Sequence, residues 1–89
     1  LWTDVLQYLG EFDTAIEILL EACNVLPDEY EMEYRLAGLY FLTDDVTKGN
    51  LHLINGMKLE PKHLSLFQEL FPVVWERTEV QKTIMKFKK

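Results

Sequence analysis

The sequence predicts an all-α protein, and three observations support this fold class. Apolar residues recur at spacings of three and four along most of the chain, which is the period of one helical face. No segment shows the sustained alternation of apolar and polar residues that indicates a strand. Pro27 and Pro61 lie 34 positions apart and divide the chain into lengths that suit helical hairpins. We therefore expect antiparallel helix-turn-helix units that repeat along the chain.

The first helix is predicted between Phe12 and Leu26. Its apolar side chains share one face, and Glu17 and Glu21 lie on the opposite face. The apolar face consists of Phe12, Ala15, Ile16, Leu19, Leu20, Ala22 and Cys23. The chain has a single cysteine, so an internal disulfide is excluded, and we interpret Cys23 as a small hydrophobic residue.

Two further helices are predicted between the two prolines. The second helix begins after Pro27, where Asp28 is the expected N-terminal cap. The residues Thr-Asp-Asp at positions 43–45 interrupt the apolar pattern, and a third helix resumes it until Pro61 stops it. The apolar positions of these two helices are Met32, Leu36, Leu39, Tyr40, Val46, Leu53, Ile54 and Met57.

The last third of the chain predicts two more helical segments. Pro72 should kink or end the first of them, because proline has no amide hydrogen and clashes with the preceding turn. In the second, Thr78 and Gln81 have the spacing of a capping box. The shared apolar face of this last helix is formed by Val80, Ile84 and Phe87.

Charge and hydropathy exclude several classes of function. The 89 residues carry a net charge of −6, with no Lys or Arg before Arg35 and a short basic segment from Arg77 onward. A nucleic-acid partner is not expected, because binding phosphates requires a basic stripe on the folded body. A membrane partner is not expected either, since no apolar run approaches the roughly 20 residues that span a bilayer. We expect a soluble chain whose compartment stays open, with the cytoplasm preferred.

Residues that could carry catalysis are scattered. His52 and His63 lie on different predicted elements, and neither has a metal-ligand partner three or four positions later. Ser65 and Thr43 lack the context of a catalytic triad, and no glycine-rich phosphate loop is present. We therefore predict no enzymatic activity, no catalytic residue, no metal and no cofactor.

Sliding the chain by 34 positions keeps side-chain size and polarity at many sites. Matched sets are Val5, Leu39 and Val73; Leu19, Leu53 and Phe87; and the small residues Ala15, Gly49 and Thr83. The second unit reads Glu33-x2-Leu36-Ala37-x2-Tyr40, then Gly49-x3-Leu53, then Pro61. The third reads Phe67-x2-Leu70-Phe71-x2-Val74, then Thr83-x3-Phe87. This pattern resembles the tetratricopeptide repeat, a 34-residue helix-turn-helix unit.

The resemblance implies a single domain, residues 1–89, folded as a short right-handed α-solenoid. Its parts are a partial first repeat at 1–27, a second repeat at 28–61 and a degenerate third repeat at 62–89, as in the C-terminal part of a repeat array. The chain departs from the pattern where Glu33 replaces an aromatic residue and where Asp44 and Asp45 replace the turn glycine. Pro72 is the third departure, because it interrupts the first helix of the last unit.

The resemblance also implies the function of a protein-binding scaffold. Repeats of this type hold a peptide or a helix of another protein in a concave groove lined by the first helix of each pair. The corresponding positions are Asp4, Gln7, Tyr8, Glu31, Tyr34, Arg35, Gly38, Leu42, Ser65, Gln68 and Glu69. The Lys and Asn clamp of chaperone-binding members is lacking, so the acidic groove favours a basic or apolar-anchored segment.

Two alternatives remain open on the sequence alone. Tyr34 either anchors a partner or only shields the seam between repeats. The whole chain is either a binding scaffold or a structural end-piece that caps a longer array or self-associates. A homodimer would then form through the exposed N-terminal repeat, whose apolar residues are Trp2, Val5, Leu6 and Leu9.

The small residues at matched positions generate a stability prediction. Ala15→Leu should lower the free energy of unfolding by about 1 to 3 kcal/mol, because a larger side chain overpacks the helix crossing. Glu17→Ala, on the opposite face, should change it by less than about 0.5 kcal/mol. Urea denaturation of the two variants measures both values, and equal effects would show that the match between Ala15 and Gly49 is a coincidence.

Overall fold

A computed structural model describes residues 8–88 as helices joined by short turns, and this part of the chain contains no strand. The prediction of an all-α fold is therefore confirmed for these residues. The elements are α1 (Phe12–Val25), α2 (Tyr30–Leu42), α3 (Val46–Leu59), a 3-10 turn (Pro61–His63), α4 (Leu64–Leu70), α5 (Pro72–Trp75) and α6 (Thr78–Lys88).

Helix boundaries repeat along the chain with the spacing of the sequence pattern. Helices α1 and α3 each contain 14 residues, and both ends of α3 lie 34 positions after the ends of α1. The first residues of α2 and α4 have the same separation. The turns match as well, since Gly10 (φ 81°) and Asp44 (φ 64°) both adopt the left-handed conformation. Asp44 thus takes the backbone conformation that glycine adopts most easily.

Helix α2 forms the centre of the fold. Every residue from Tyr34 to Phe41 is buried, a run longer than two helical turns. Neighbours must therefore cover this helix on all sides, and they are α1, α3, α4 and α5. The surrounding core is completed by Ala15, Ile16 and Leu19 of α1, Leu53 and Met57 of α3, Leu64 and Phe67 of α4, Phe71, Val74 of α5, and Val80 and Ile84 of α6.

Aromatic rings pack directly on glycines of the two central helices. A Cβ atom at Gly38 would collide with the Phe71 ring, and one at Gly56 would lie 2.8 Å from the Tyr34 ring. At Gly49 the distance to the Phe41 ring would be 3.0 Å. Position 49 therefore requires a small residue, as the sequence predicted. The neighbour that imposes this requirement is the Phe41 ring of α2.

Both predicted proline breaks occur. Helix α3 ends before Pro61, α4 ends before Phe71, and α5 begins at Pro72. The 34-residue match fails in burial near Pro72, because Leu39 is buried whereas its counterpart Val73 is 73% exposed. Leu39 lies in the continuous buried run of α2, whereas around Pro72 only Phe71 and Val74 are buried.

Two predicted caps are wrong. Asp28 does not cap α2: it has a left-handed backbone (φ 66°), and Glu29 stands at the N-cap position without a side-chain cap. Thr78 is already the first residue of α6, and the side chain of Gln81 donates to the Trp75 carbonyl at 2.6 Å. Residues that bond to the backbone outside a helix compete with the cap geometry, and sequence spacing does not show which arrangement forms.

Asp45 and Arg77 satisfy the backbone at the turn between α2 and α3. The Asp45 carboxylate accepts a hydrogen bond from the Lys48 amide at 3.2 Å and caps α3. The Arg77 guanidinium donates to the Phe41 carbonyl at 2.8 Å, close to the end of α2. A cation at this end interacts favourably with the helix dipole and connects the third unit to the second.

The contact between Gly38 and Phe71 generates the second prediction. Gly38→Ala should lower the free energy of unfolding by about 1 to 3 kcal/mol, because the ring must move to admit a methyl group. This loss opposes the roughly 1 kcal/mol by which alanine favours a helix over glycine. Urea denaturation followed by circular dichroism measures the change, with the exposed Thr47→Ala as control. An unchanged midpoint for Gly38→Ala would place the Phe71 ring elsewhere in solution.

Candidate partner-binding surface

The structure divides the predicted groove residues into three groups. Asp4 and Gln7 lie outside the described residues. Tyr34, Arg35 and Gly38 are buried. The remaining positions reach the surface fully or in part, and they are Tyr8, Glu31, Leu42, Ser65, Gln68 and Glu69.

Tyr34 is completely buried, so a partner docking on this structure cannot reach its ring. The ring lies between Gly56 of α3 and Phe67 of α4, with 6.2 Å between the Tyr34 and Phe67 ring centroids. Its hydroxyl donates to the Glu60 carbonyl at 3.0 Å. Of the two roles that the sequence left open for Tyr34, burial favours internal packing, here between α2, α3 and α4.

The Tyr34 hydroxyl is held in its protonated form. Burial, and then the nearby Glu60 and Tyr30, raise the pKa of Tyr34 to about 12. Burial disfavours the phenolate because a buried negative charge loses its hydration. The two nearby groups disfavour it through electrostatic repulsion. The hydroxyl therefore remains a hydrogen-bond donor to Glu60 throughout the neutral range.

Arg35 and Gly38 also belong to the buried interior of the fold. Arg35 is buried, and its Nη2 atom lies 3.2 Å from Oε1 of Glu31, one helical turn earlier. A buried guanidinium needs such partners because desolvation of an isolated charge is costly. Gly38 lies under the Phe71 ring. The centre of the predicted groove is thus filled by the protein itself.

One accessible residue of the predicted groove, Leu42, lines a small depression at the α4–α5 break, which we name the kink notch. It has a volume of about 150 Å³ and is lined by Leu42, Leu70, Phe71, Pro72, Val73 and Val74. Only Leu42 was among the predicted groove residues. Pro72 was the sequence signal for the rest, because a helix break exposes side chains that a continuous helix would pack.

Polar groups lie next to the kink notch along the chain. Gln68 and Glu69 are exposed in the last turn of α4. Pro72 has no amide hydrogen, so it cannot donate to the carbonyl of Gln68 as the next residue of a helix would. An exposed carboxylate and a backbone acceptor thus immediately precede, along the chain, the apolar residues that line the notch.

A second polar cluster, missed by sequence reasoning, joins α2 to α3. His52 Nδ1 lies 2.7 Å from Oε2 of Glu33, and Asn55 Nδ2 lies 3.5 Å from the same oxygen. The His52 ring stacks on Tyr40 with 5.4 Å between centroids, and Lys48 Nζ lies 5.6 Å from the Tyr40 ring. Glu33 occupies the position where the repeat pattern has an aromatic residue. The cluster joins α2 to α3 through its hydrogen-bond contacts to the Glu33 carboxylate.

Cys23 and His63 are the remaining side chains that could carry chemistry. Burial, and then the Glu33 carboxylate, raise the pKa of Cys23, which lowers its thiolate fraction and its reactivity. His63 Nδ1 lies 3.2 Å from the Tyr30 hydroxyl.

Between residues 8 and 88, no three His, Cys, Asp or Glu side chains are grouped to hold a metal ion. In the same range no helix combines the length and the apolar character needed to cross a bilayer.

Comparison of the chain with protein-family models, curated proteins and solved structures gave no match. The notch is small beside the pockets of about 300 to 1,000 Å³ that hold small molecules, and its volume matches the size of a single side chain.

Tyr34 generates the third prediction. Tyr34→Phe should lower the free energy of unfolding at neutral pH by about 0.5 to 1.5 kcal/mol, because the Glu60 carbonyl loses its donor while the ring packing is kept. The matched control is Tyr8→Phe, at a side chain that is 90% exposed. Urea denaturation measures both variants, and equal midpoints for Tyr34→Phe and wild type would mean that water replaces the lost bond.

The same hydroxyl gives a dependence on alkaline pH. Between about pH 10 and pH 12 the unfolded chain releases the Tyr34 proton while the folded chain keeps it, so stability falls as pH rises. Tyr34→Phe should show a shallower fall over this range than wild type. A residual slope is expected because burial, and then Asp45, also raise the pKa of Tyr40.

Proposed function

We propose that this chain is a protein-binding scaffold that holds a peptide or a helix of a partner at the kink notch and the exposed face of α4. The observation that carries the proposal is an apolar notch at the α4–α5 break, preceded along the chain by the exposed residues Gln68 and Glu69. This surface lies on the helices that correspond to the groove-lining helices of tetratricopeptide repeats. The family relationship and the solenoid arrangement are part of the same proposal.

The structural period supports the comparison with tetratricopeptide repeats. Helices α1 and α3 begin 34 positions apart, at Phe12 and Val46, and each follows a residue in the left-handed conformation, Gly10 or Asp44. Small residues stand at the matched positions of these helices, Ala15 and Gly49, and both are buried. A repeat of two-helix units that bury one another's apolar faces is the arrangement expected of a short solenoid.

The chemistry of the surface favours one class of partner. Val73 projects an apolar side chain at the edge of the notch, and Glu69 places a carboxylate on the adjoining turn of α4. An apolar anchor in the notch would supply most of the affinity, and a basic residue beside it would meet Glu69. The partner segment that fits best is therefore a short one with a single aliphatic or aromatic anchor flanked by Lys or Arg.

A second candidate function is that of an end-piece that caps a longer array or self-associates through its N-terminal part. Tyr8 and Leu9 are both largely exposed, as this candidate requires. The other apolar residues on which it depends, Trp2, Val5 and Leu6, lie outside the described residues. Light scattering on this chain and on any longer protein that contains it separates the candidates, because association that disappears in the longer protein reflects missing contacts.

The kink notch generates the fourth prediction. A library of random peptides displayed on phage, selected on the wild-type chain, should yield sequences with one apolar anchor and neighbouring basic residues. In titration calorimetry, Val73→Ser should weaken a selected peptide about tenfold or more, and Glu69→Lys should weaken it mainly at low ionic strength. Both positions are exposed, so the fold should be unaffected.

Matched controls are available on the other helices. Leu51→Ser removes an exposed aliphatic side chain from α3, and Glu21→Lys reverses an exposed charge on α1. Neither change should alter the affinity of the selected peptides. Binding that is lost with the control substitutions and kept with Val73→Ser and Glu69→Lys would move the site away from the notch.

A further inference from the structure

Two exposed helix faces at the two ends of the chain have the same residue spacing and opposite charge. Each consists of two like charges with one apolar residue between them, at positions i, i+3 and i+4. The acidic stripe on α1 is Glu17, Leu20 and Glu21; Leu20, which the sequence assigned to the apolar face, lies on the exposed side of the helix. The basic stripe on α6 is Lys82, Met85 and Lys86. Residues with this spacing lie together on one side of a helix.

Both stripes are open to solvent. All four charged side chains are exposed. The central apolar residues are exposed as well, Leu20 by 38% and Met85 by 66%. An exposed apolar side chain framed by charges of one sign is well suited to a partner face with an apolar residue framed by the opposite sign.

The two stripes lie on helices that pack against different neighbours. Helix α1 packs mainly against α2, whereas α6 packs against α3 and α5. The charge of the whole chain follows the same division, since no Lys or Arg precedes Arg35 and basic residues outnumber Glu79 from Arg77 onward. Two copies placed head to tail therefore bring unlike charges together.

A groove beside the basic stripe offers a concave surface to a second copy of the chain. It lies between α3 and α6, has a volume of about 390 Å³, and shares Lys86 with the stripe. Its other lining residues are Asn50, Ile54, Thr83 and Phe87. Ile54 and Phe87 supply apolar surface, and Thr83 Oγ1 lies 2.7 Å from Asn50 Oδ1 across the groove. An aliphatic side chain such as Leu20 finds apolar contacts there that it lacks in the monomer.

We propose that this chain self-associates head to tail, with the acidic stripe of one copy on the basic stripe of a second. Glu17 and Glu21 then face Lys82 and Lys86, and Leu20 packs beside Met85. This proposal does not depend on the kink notch, which lies on α4 and α5. It also differs from a dimer through the N-terminal apolar residues, because it needs α6 and unlike charges.

The association should be weak and dependent on salt. Exposed ion pairs each contribute little, and the contact of two single helices is small beside a stable dimer interface. We expect dissociation constants of roughly 10 µM to 1 mM at low ionic strength, and an association constant that falls about tenfold or more at high salt. A head-to-tail contact closes into a ring if its rotation permits and otherwise forms open chains.

Sedimentation velocity and light scattering on the 89-residue chain, from micromolar to millimolar concentration, test the proposal. Wild type should show a weight-average mass that rises with concentration at low salt. The double variants Lys82→Glu with Lys86→Glu, and Glu17→Lys with Glu21→Lys, should each associate at least about tenfold more weakly. An equimolar mixture of the two variants should associate again, because each then offers a stripe of the sign that the other lacks.

Controls separate the stripe contact from a change in total charge or fold. Lys58→Glu with Lys62→Glu changes the net charge by the same amount at other exposed positions and should leave self-association close to wild type. Circular dichroism should show that every variant stays helical. A wild-type chain that is monomeric at millimolar concentration overturns the proposal and leaves the stripes to other partners. Association that survives both reversals, or a mixture that fails to associate, overturns it as well.

Discussion

The complete burial of α2 is the constraint on which the rest of the structure depends. A helix with eight consecutive buried residues needs neighbours on all sides, and those neighbours must come close. Glycines make this approach achievable, because Phe71 packs on Gly38 and Tyr34 packs on Gly56 without an intervening Cβ. The positions of α1, α3, α4 and α5 follow from this central helix. The residues that line up on its inner faces are consequently unavailable to a partner.

Polar contacts at the edges of α2 determine how its neighbours are oriented. Apolar packing alone is non-directional, whereas a hydrogen bond defines distance and angle. Tyr34 bonds to Glu60, His52 contacts Glu33, and Arg77 reaches the Phe41 carbonyl, so each of these contacts joins α2 to a segment that follows it. Partial burial makes them costly to break without replacement. They favour one arrangement of the helices over others with similar apolar burial.

The sequence predicted the helical class, the 34-residue period, and the breaks at Pro61 and Pro72, because these depend on local chemistry. It did not predict which face of α2 is open, since periodicity locates residues on a common face but does not count the helices that cover it. Tyr34 and Gly38 were placed in a groove for that reason and are buried. The kink notch depends on the direction of the chain after Pro72, which tertiary packing sets. The caps at Asp28 and Thr78 failed because several local hydrogen-bond patterns suit the same residues.

The shortness of α4 and α5 has a consequence for the order in which the chain folds. They contain seven and four residues, and isolated helices shorter than about 12 residues are marginal in water. By contrast, α2 and α3 are longer and are joined by the short turn at Thr43–Asp45, so their contacts close small loops at low entropic cost. The α2–α3 hairpin can therefore form early and act as the template on which α4 and α5 acquire helical structure. In the native state the same two segments are expected to open first, which makes the region around Pro72 the least protected part of the core against hydrogen exchange.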